Sequence, residues 1–200
     1  APLMARITGI RRQLSKALGF VVPPIRVADD LALPGNHYRI SVGGVVLGED
    51  EVFAGEMLAL DSGAATGPID GRPCKDPTFG IDAFWVPRSA QNEAIAAGYT
   101  VVDPATVVAT HLNHCITRAA EDLFGIDDTQ ALVDHLKVAY PQLTQALTPQ
   151  AYALPRIAAL CRALLAERVP LRDFRQIAEA MVAVAGQPLS DTDLVEAVRQ

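Results

Sequence analysis

Three side chains that bind metal ions in many proteins occur within five consecutive positions of this 200-residue sequence. His111, His114 and Cys115 stand at i, i+3 and i+4, a spacing that brings side chains together on one side of a helix. A zinc site normally needs three or four ligands, and neither an HExxH motif nor a pair of cysteines supplies the others. Cys115 also belongs to an apolar stripe of the same segment. A core cysteine is therefore the favoured interpretation, and we expect no metal and no cofactor.

Other catalytic patterns are equally incomplete. No GxSxG elbow is present, and the segment DSGAATG that starts at Asp61 lacks a following helix to build an oxyanion hole. Asp29 and Asp30 are adjacent in a turn, where carboxylates are usually solvated. The glycines at 43, 44 and 48 form neither GxGxxG nor a Walker loop. We expect no catalytic residues and no enzyme; the alternative is a hydrolase or metal enzyme that uses Asp76, His111 and Cys115.

The stretch CKDPTFGIDAFWV, which begins at Cys74, combines an acid, aromatic residues and a turn. The proline after Asp76 favours extended backbone at that residue, and Gly80 allows the chain to turn just after Phe79. The residues around Trp85 are typical of a strand. Two interpretations remain open. The stretch is either a corner of the core, or a docking pocket in which Phe79 gives apolar contact and Asp76 a charged acceptor.

The elements that must position these residues change in character along the chain. Leu3, Ile7, Ile10 and Leu14 follow helical spacing, and Gly19 is suited to end that amphipathic helix. Short β-branched runs between turn residues predict strands near residues 25–28, 37–42, 44–53 and 56–60. A loop over 61–73, a short helix ended by Gly98 and a buried strand YTVV follow.

A long helix is predicted over residues 103–125. Asp103 is a good N-cap, Pro104 suits the first turn and Gly125 closes the other end. An apolar stripe runs along it through Val108, Leu112, Cys115, Ile116, Ala119 and Leu123. From residue 126 onward the pattern predicts only helices, over segments that end before Pro141 and Pro170, at Gly186 and at the end of the chain.

Composition and charge restrict the class of protein further. Half of the residues are hydrophobic, enough for a sizeable core, and no apolar run reaches the roughly 18 to 20 residues of a membrane span. Three widely spaced cysteines indicate a reducing compartment, the cytosol. The net charge is −6, yet residues 1–28 hold five basic residues and no acid. Without interleaved aromatics these cations favour a solvated helix face, and we expect no nucleic-acid partner. We expect a soluble piece of a longer protein.

Three segments in this order resemble the cytoplasmic part of the FHIPEP family of type III secretion proteins. They read DPTFGIDAFWV, GYTVVDPATVVATHLNH and LLAERVPLRDFRQIAEA, and with YRISVGGVVLGEDEVFAGEMLALD the resemblance runs from about residue 4 to residue 200. The DPTFG form is similar to the flagellar branch rather than to the virulence injectisome branch, which remains the alternative.

The resemblance implies a docking function on the cytoplasmic face of the bacterial inner membrane. Proteins of this family have a membrane region, a linker and a cytoplasmic part of four subdomains that assembles as a nine-membered ring. That ring binds export chaperones with their substrates, contacts other export-apparatus proteins and helps to order substrate export during flagellum assembly. No enzymatic activity is implied.

The resemblance also implies an α+β fold with three subdomains in this chain, the fourth being cut away. Residues 1–54 and 104–124 would form the first, residues 55–103 an inserted second, and residues 125–200 a helical third. The chaperone site would lie between the first two. Its motif residues correspond to Asp76, Phe79 and Thr110, with Val102 and Val107 as apolar lining.

Overall fold

The computed structural model describes residues 2–200 and contains both helices and small antiparallel sheets. The helices are Pro2–Leu18 (α1), Gln91–Ala96 (α2), Pro104–Arg118 (α3), Ala120–Leu123 (α4), Ile126–Ala139 (α5), Pro141–Gln145 (α6), Leu154–Ala166 (α7), Phe174–Ala183 (α8) and Asp191–Arg199 (α9). The strands are His37–Val42 (β1), Val45–Glu51 (β2), Glu56–Leu60 (β3), Arg72–Lys75 (β4), Asp82–Pro87 (β5) and Thr100–Val102 (β6). A 3-10 turn covers Arg88–Ala90 and a wide helical turn covers Ala146–Ala151.

The chain divides into two compact units. Unit 1 comprises residues 1–10 and 25–116, and unit 2 comprises residues 11–24 and 117–200. The chain passes between the units at three points. Two of them lie inside helices, within α1 and α3, and the third lies after Pro24, outside any helix or strand. The division into three subdomains is finer than these two units and stays a prediction.

Unit 1 contains both sheets. Strands β1 and β2 form a two-stranded antiparallel hairpin whose Gly43 and Gly44 have φ of 56° and 82°, as the tight turn between right-twisted strands requires. The register of this hairpin shifts between Ile40 and Ser41, which is a β-bulge. The second sheet has the order β4-β5-β3-β6, with antiparallel pairing throughout.

Each face of the four-stranded sheet supports its own hydrophobic cluster, because successive side chains of a strand point to opposite faces. Met57 and Ala59 face a cluster that includes Ala94 of α2. Leu58 and Trp85 face the other cluster, to which α3 contributes Val107. The second face therefore joins the sheet to the helix that carries the predicted site.

Unit 2 is helical, and its core is built mainly from α5, α7, α8 and α9. Gly19 ends α1 with φ of 89°, and a Cβ atom there would lie 2.2 Å from the backbone nitrogen of Arg172. The Leu171 N–H donates to the Leu18 carbonyl oxygen at 2.8 Å. Phe20 then packs edge-on against Phe124, with ring centroids 5.1 Å apart. The glycine is thus needed both for the turn and for the close approach of the backbones.

Several sequence predictions of elements are wrong. Residues 25–28 form no strand; two prolines precede them, and no strand pairs with them. The strand at YTVV is Thr100–Val102 and lies at a sheet edge, partly exposed rather than buried. The long helix is interrupted at Ala119, where the backbone leaves helical angles. In the predicted helical segment that ends before Pro170, α7 begins only at Leu154, and Thr148 has extended φ and ψ of −149° and 134°.

Other local predictions are confirmed. Strands β1, β2 and β3 lie where the β-branched runs predict them. A further local interaction is the cap of α9, where Ser190 accepts a hydrogen bond from the Asp193 N–H at 3.2 Å.

Within residues 2–200, none of the helices combines the length and the apolar character needed to cross a bilayer.

Candidate functional site

A tight turn between β4 and β5 carries Phe79. The Asp76 N–H donates to the Ile81 carbonyl oxygen at 2.8 Å, and the Gly80 N–H donates to the Asp76 carbonyl oxygen at 3.0 Å. The Asp76 carboxylate accepts hydrogen bonds from the Thr78 N–H at 3.0 Å and from the Phe79 N–H. Because Asp76 is only 8% exposed, its charge serves the turn itself. The carboxylate fixes the backbone that presents Phe79.

Phe79 is exposed to an unusual degree for an aromatic residue on such a fixed turn. Its relative exposure is 66%, although burial is the normal state of a phenylalanine. One side of the ring contacts the imidazole of His114 edge-on, with ring centroids 6.4 Å apart and an interplanar angle of 65°. The turn and this contact together hold the ring at the surface.

Thr110 lies one helical turn before His114 on α3, so the two side chains share a helix face. Thr110 is exposed and His114 is partly exposed. We call Phe79, Thr110 and His114 the Phe79 patch. The structure thus places the predicted site residue Phe79 in contact with His114, and the predicted site residue Thr110 on the same face of α3 as His114.

The two predicted lining valines lie deeper than the patch. Val107 is 5% exposed and packs in the cluster of Leu58 and Trp85. Val102 is partly buried in β6, where it pairs with Leu58. Both valines support the helix and the sheet that carry the patch, and Val107 offers almost no surface to a partner.

The N-terminus of α3 is fixed by Asp103, which confirms the predicted N-cap. Its Oδ1 accepts a hydrogen bond from the Thr106 N–H at 2.8 Å, and its Oδ2 lies 3.1 Å from an Arg6 guanidinium nitrogen. Hydrogen bonding from Thr106 and, to a smaller extent, the Arg6 charge lower the pKa of Asp103. The helix therefore starts from a defined point.

His111 is buried against the β1–β2 hairpin. Its Nδ1 lies 2.6 Å from the Tyr38 hydroxyl, and an added Cβ at Gly48 would lie 2.5 Å from its Nε2. Burial lowers the pKa of His111, which nearby Asp50 raises by less. Burial, followed by the Asp50 charge, raises the pKa of Tyr38. This pair joins the hairpin to α3 as neutral groups.

The histidines that share metal-ligand spacing have different partners. His111 contacts Tyr38, whereas His114 contacts Phe79. Cys115 is buried, as are Leu112, Ile116 and Ala119 of the predicted stripe. Over residues 2–200, no three or more His, Cys, Asp and Glu side chains are grouped so that they could hold a metal ion.

The model of the FHIPEP family matches residues 1–200. The chain belongs to the FHIPEP family. Among curated FHIPEP relatives, the flagellar biosynthesis protein FlhA of Helicobacter pylori is 36% identical over 200 residues, which cover 98% of this chain and 27% of the relative. The FlhA of Bacillus subtilis is 38% identical over 193 residues, covering 96% of this chain and 28% of the relative. The chain thus spans a little more than a quarter of the length of these FHIPEP proteins.

Solved structures share the fold of this FHIPEP chain at low identity. The CdsV protein of Chlamydia pneumoniae superposes with a TM-score of 0.83 at 20% identity, covering 97% of this chain and 56% of CdsV. The nonameric SctV-C of EPEC gives a TM-score of 0.73 at 19% identity, covering 100% of this chain and 60% of that one. The α+β fold class is confirmed.

His114 is the member of the patch that sequence reasoning did not find. The spacing of His114 from His111 and Cys115 is typical of metal ligands and therefore suggests a metal site. The contact of His114 with Phe79 is not visible in the sequence because the two residues lie 35 positions apart. One signal was available: His114 stands at i+4 from Thr110, which places it on the same helix face.

Proposed function

We propose that this chain is part of a docking platform of a flagellar type III protein export gate. In this proposal the Phe79 patch binds complexes of export chaperones with their substrates, and the platform helps to order substrate export during flagellum assembly. The role is one of recognition, with no enzymatic step. The observation that carries the proposal is the 66% exposure of Phe79 on a turn fixed by Asp76.

The exposure argues for a partner because the turn makes no use of the ring. Asp76 closes the turn through the backbone N–H groups of Thr78 and Phe79, and every residue type except proline would supply this N–H at position 79. An aromatic ring left 66% exposed loses the free energy that burial would contribute, on the order of 1.5–3 kcal/mol for a full side chain. Covering the ring with a partner recovers much of it.

An amphipathic helix is the partner that fits the patch. Phe79 offers an apolar face, and the Thr110 hydroxyl and His114 imidazole offer polar groups one helical turn apart. Helix-in-groove recognition uses such an apolar anchor with polar contacts at its edge. A small site of this kind permits release, since a weak interface dissociates quickly. Release is necessary for a platform that passes cargo to an export channel.

Two solved neighbours support a proposal about assembly. The SctV-C neighbour is nonameric, and CdsV was solved in complex with CdsO. We propose that the full-length protein likewise forms a nine-membered ring on the cytoplasmic face of the bacterial inner membrane and contacts other export-apparatus proteins. Subdomains at 1–54 with 104–124, at 55–103 and at 125–200 remain part of this proposal.

The export gate of a virulence injectisome is the second candidate. It is supported by the EscV neighbour, a cytosolic domain from a type III secretion system, at 19% identity and a TM-score of 0.73. The flagellar assignment is preferred because flagellar biosynthesis proteins are 36% to 38% identical to this chain over nearly its whole length.

Replacement of Phe79 by alanine tests the docking role. Phe79→Ala should weaken binding of a purified flagellar chaperone–substrate complex by about 1–3 kcal/mol, because truncation of an exposed anchor removes its contact with the partner. Isothermal titration calorimetry on residues 1–200 measures the change. Ile95→Ala is the matched control, since Ile95 is 51% exposed on α2 of the same unit. This variant is expected to bind the complex as the wild type does. Equal affinity of wild type and Phe79→Ala, with both folded, would refute the proposal.

A further inference from the structure

His114 differs from every other histidine of the chain in what it touches. Its imidazole contacts the Phe79 ring edge-on at 6.4 Å between centroids, and among residues 2–200 the structure shows no hydrogen bond to either of its ring nitrogens. By contrast, His111 is 5% exposed and bonded to Tyr38. Two properties of the imidazole are therefore available at His114: a ring that makes an edge-on aromatic contact, and nitrogens for hydrogen bonding.

The position of His114 on α3 adds a second constraint. Because it follows Thr110 by four residues, its Cα lies about 6 Å further along the helix axis. The Thr110 hydroxyl and the His114 nitrogens thus lie on one face of α3, and of these two residues His114 contacts the exposed Phe79 ring. A partner that covers Phe79 and His114 must also satisfy the imidazole nitrogens or lose their hydration without replacement.

We infer that His114 is a specificity-determining residue of the Phe79 patch. Its ring supports the Phe79 side chain from one side, and its nitrogen selects partner helices that carry a polar group next to the apolar residue that covers Phe79. This inference rests on the proposed docking function and adds to it the chemistry of the preferred partner. Partners with an apolar side chain but no neighbouring hydrogen-bonding group are rejected, because they would bury the imidazole nitrogen unpaired.

Three substitutions separate the two functions of the imidazole. His114→Ala removes the ring and the nitrogens, His114→Phe keeps a ring, and His114→Gln keeps hydrogen-bonding atoms. For a purified flagellar chaperone–substrate complex we expect His114→Ala to weaken binding roughly fivefold to tenfold. His114→Phe and His114→Gln should each recover part of this loss. His135→Ala is the matched control, because His135 is an exposed histidine on α5 and should bind as the wild type does.

The outcomes distinguish this inference from the docking proposal. Wild-type affinity of His114→Ala together with weakened binding of Phe79→Ala would overturn the role of His114 alone. Wild-type affinity of both variants would overturn the docking function itself. Full recovery by His114→Phe would overturn the hydrogen-bonding role, and full recovery by His114→Gln would overturn the supporting role of the ring. Thermal unfolding of each variant controls for the fold.

A measurement without a partner tests the contact itself. The chain has four histidines, so their imidazole signals can be followed by proton–carbon NMR. Phe79→Leu removes the ring current and should shift the imidazole signals of His114, while those of His135 stay in place. Unchanged His114 signals in Phe79→Leu would show that the two rings do not meet in solution and would overturn the inference.

Discussion

At the scale of single residues, Asp76 acts through the backbone of its own turn. The sequence predicts a charged acceptor for a partner, whereas the structure places the carboxylate on the amides of Thr78 and Phe79 with 8% exposure. A carboxylate that accepts two backbone hydrogen bonds holds such a turn strongly, since charge-assisted bonds are stronger than neutral ones. We thus expect Asp76 to affect binding indirectly, by holding the turn that presents Phe79.

Two substitutions at Asp76 distinguish the turn from direct contact. Asp76→Ala removes Oδ2, the oxygen that accepts both hydrogen bonds, and we expect a loss of about 1–3 kcal/mol in unfolding free energy and weaker binding of the chaperone–substrate complex. Asp76→Asn keeps an acceptor oxygen for the turn but removes the charge, and it should retain most of the binding. Denaturant unfolding and calorimetry measure the two effects. If Asp76→Asn loses as much binding as Asp76→Ala, then binding requires the charge of Asp76, and an acceptor oxygen at the turn is not sufficient.

At the scale of elements, the β1–β2 hairpin packs closely against α3 because Gly48 of β2 has no side chain. Gly48 has φ outside the left-handed region, so its backbone alone does not require glycine. A Cβ there would lie 2.5 Å from His111 Nε2 and 3.0 Å from Cys115 Sγ. Real Cβ atoms do not approach so closely, so close packing of the strand against the helix is what excludes a side chain.

Gly48→Ala tests this contact between hairpin and helix. The added methyl group must displace His111, which is already bonded to Tyr38, and we expect a loss of about 1–3 kcal/mol in unfolding free energy from overpacking. Urea unfolding measures it. Gly9→Ala is the control, because a Cβ there meets nothing within 4 Å and alanine favours a helix; it should be neutral or stabilising. Equal stability of Gly48→Ala and wild type would show that the hairpin moves aside freely.

The elements also show what a sequence can predict. The Asp103 cap and strands β1, β2 and β3 depend on neighbouring residues, and local patterns predict all of them. The failures depend on distant contacts. β6 is an edge strand because it comes last in the order of the four-stranded sheet. Phe79 and His114 are far apart in sequence, so the periodicity of a local segment cannot predict their contact. The exposed patch could therefore be predicted only in part.

At the scale of the whole molecule, one buried histidine links folding to pH. Burial lowers the pKa of His111 below its ordinary value of 6.5, so near and below that pH the unfolded chain binds more protons than the folded chain. Stability then rises with pH in this range. The stability that comes from keeping His111 neutral is fully present above pH 6.5. It is lost as the pH falls from 6.5 toward the pKa of His111 in the folded chain.

His111→Gln should therefore flatten the pH dependence of unfolding. In the wild type, we expect unfolding free energy to fall by up to about 1.4 kcal/mol per pH unit below 6.5 through this one proton. The variant is less stable at neutral pH because it loses the Tyr38 contact, but its curve should lack this component, since glutamine does not titrate. Urea unfolding followed by the fluorescence of Trp85, the only tryptophan and one buried in unit 1, measures both curves. His135→Gln changes an exposed imidazole and should keep the wild-type slope. Parallel curves for wild type and His111→Gln between about pH 5 and 7 would mean that His111 gains its proton without opposing the fold.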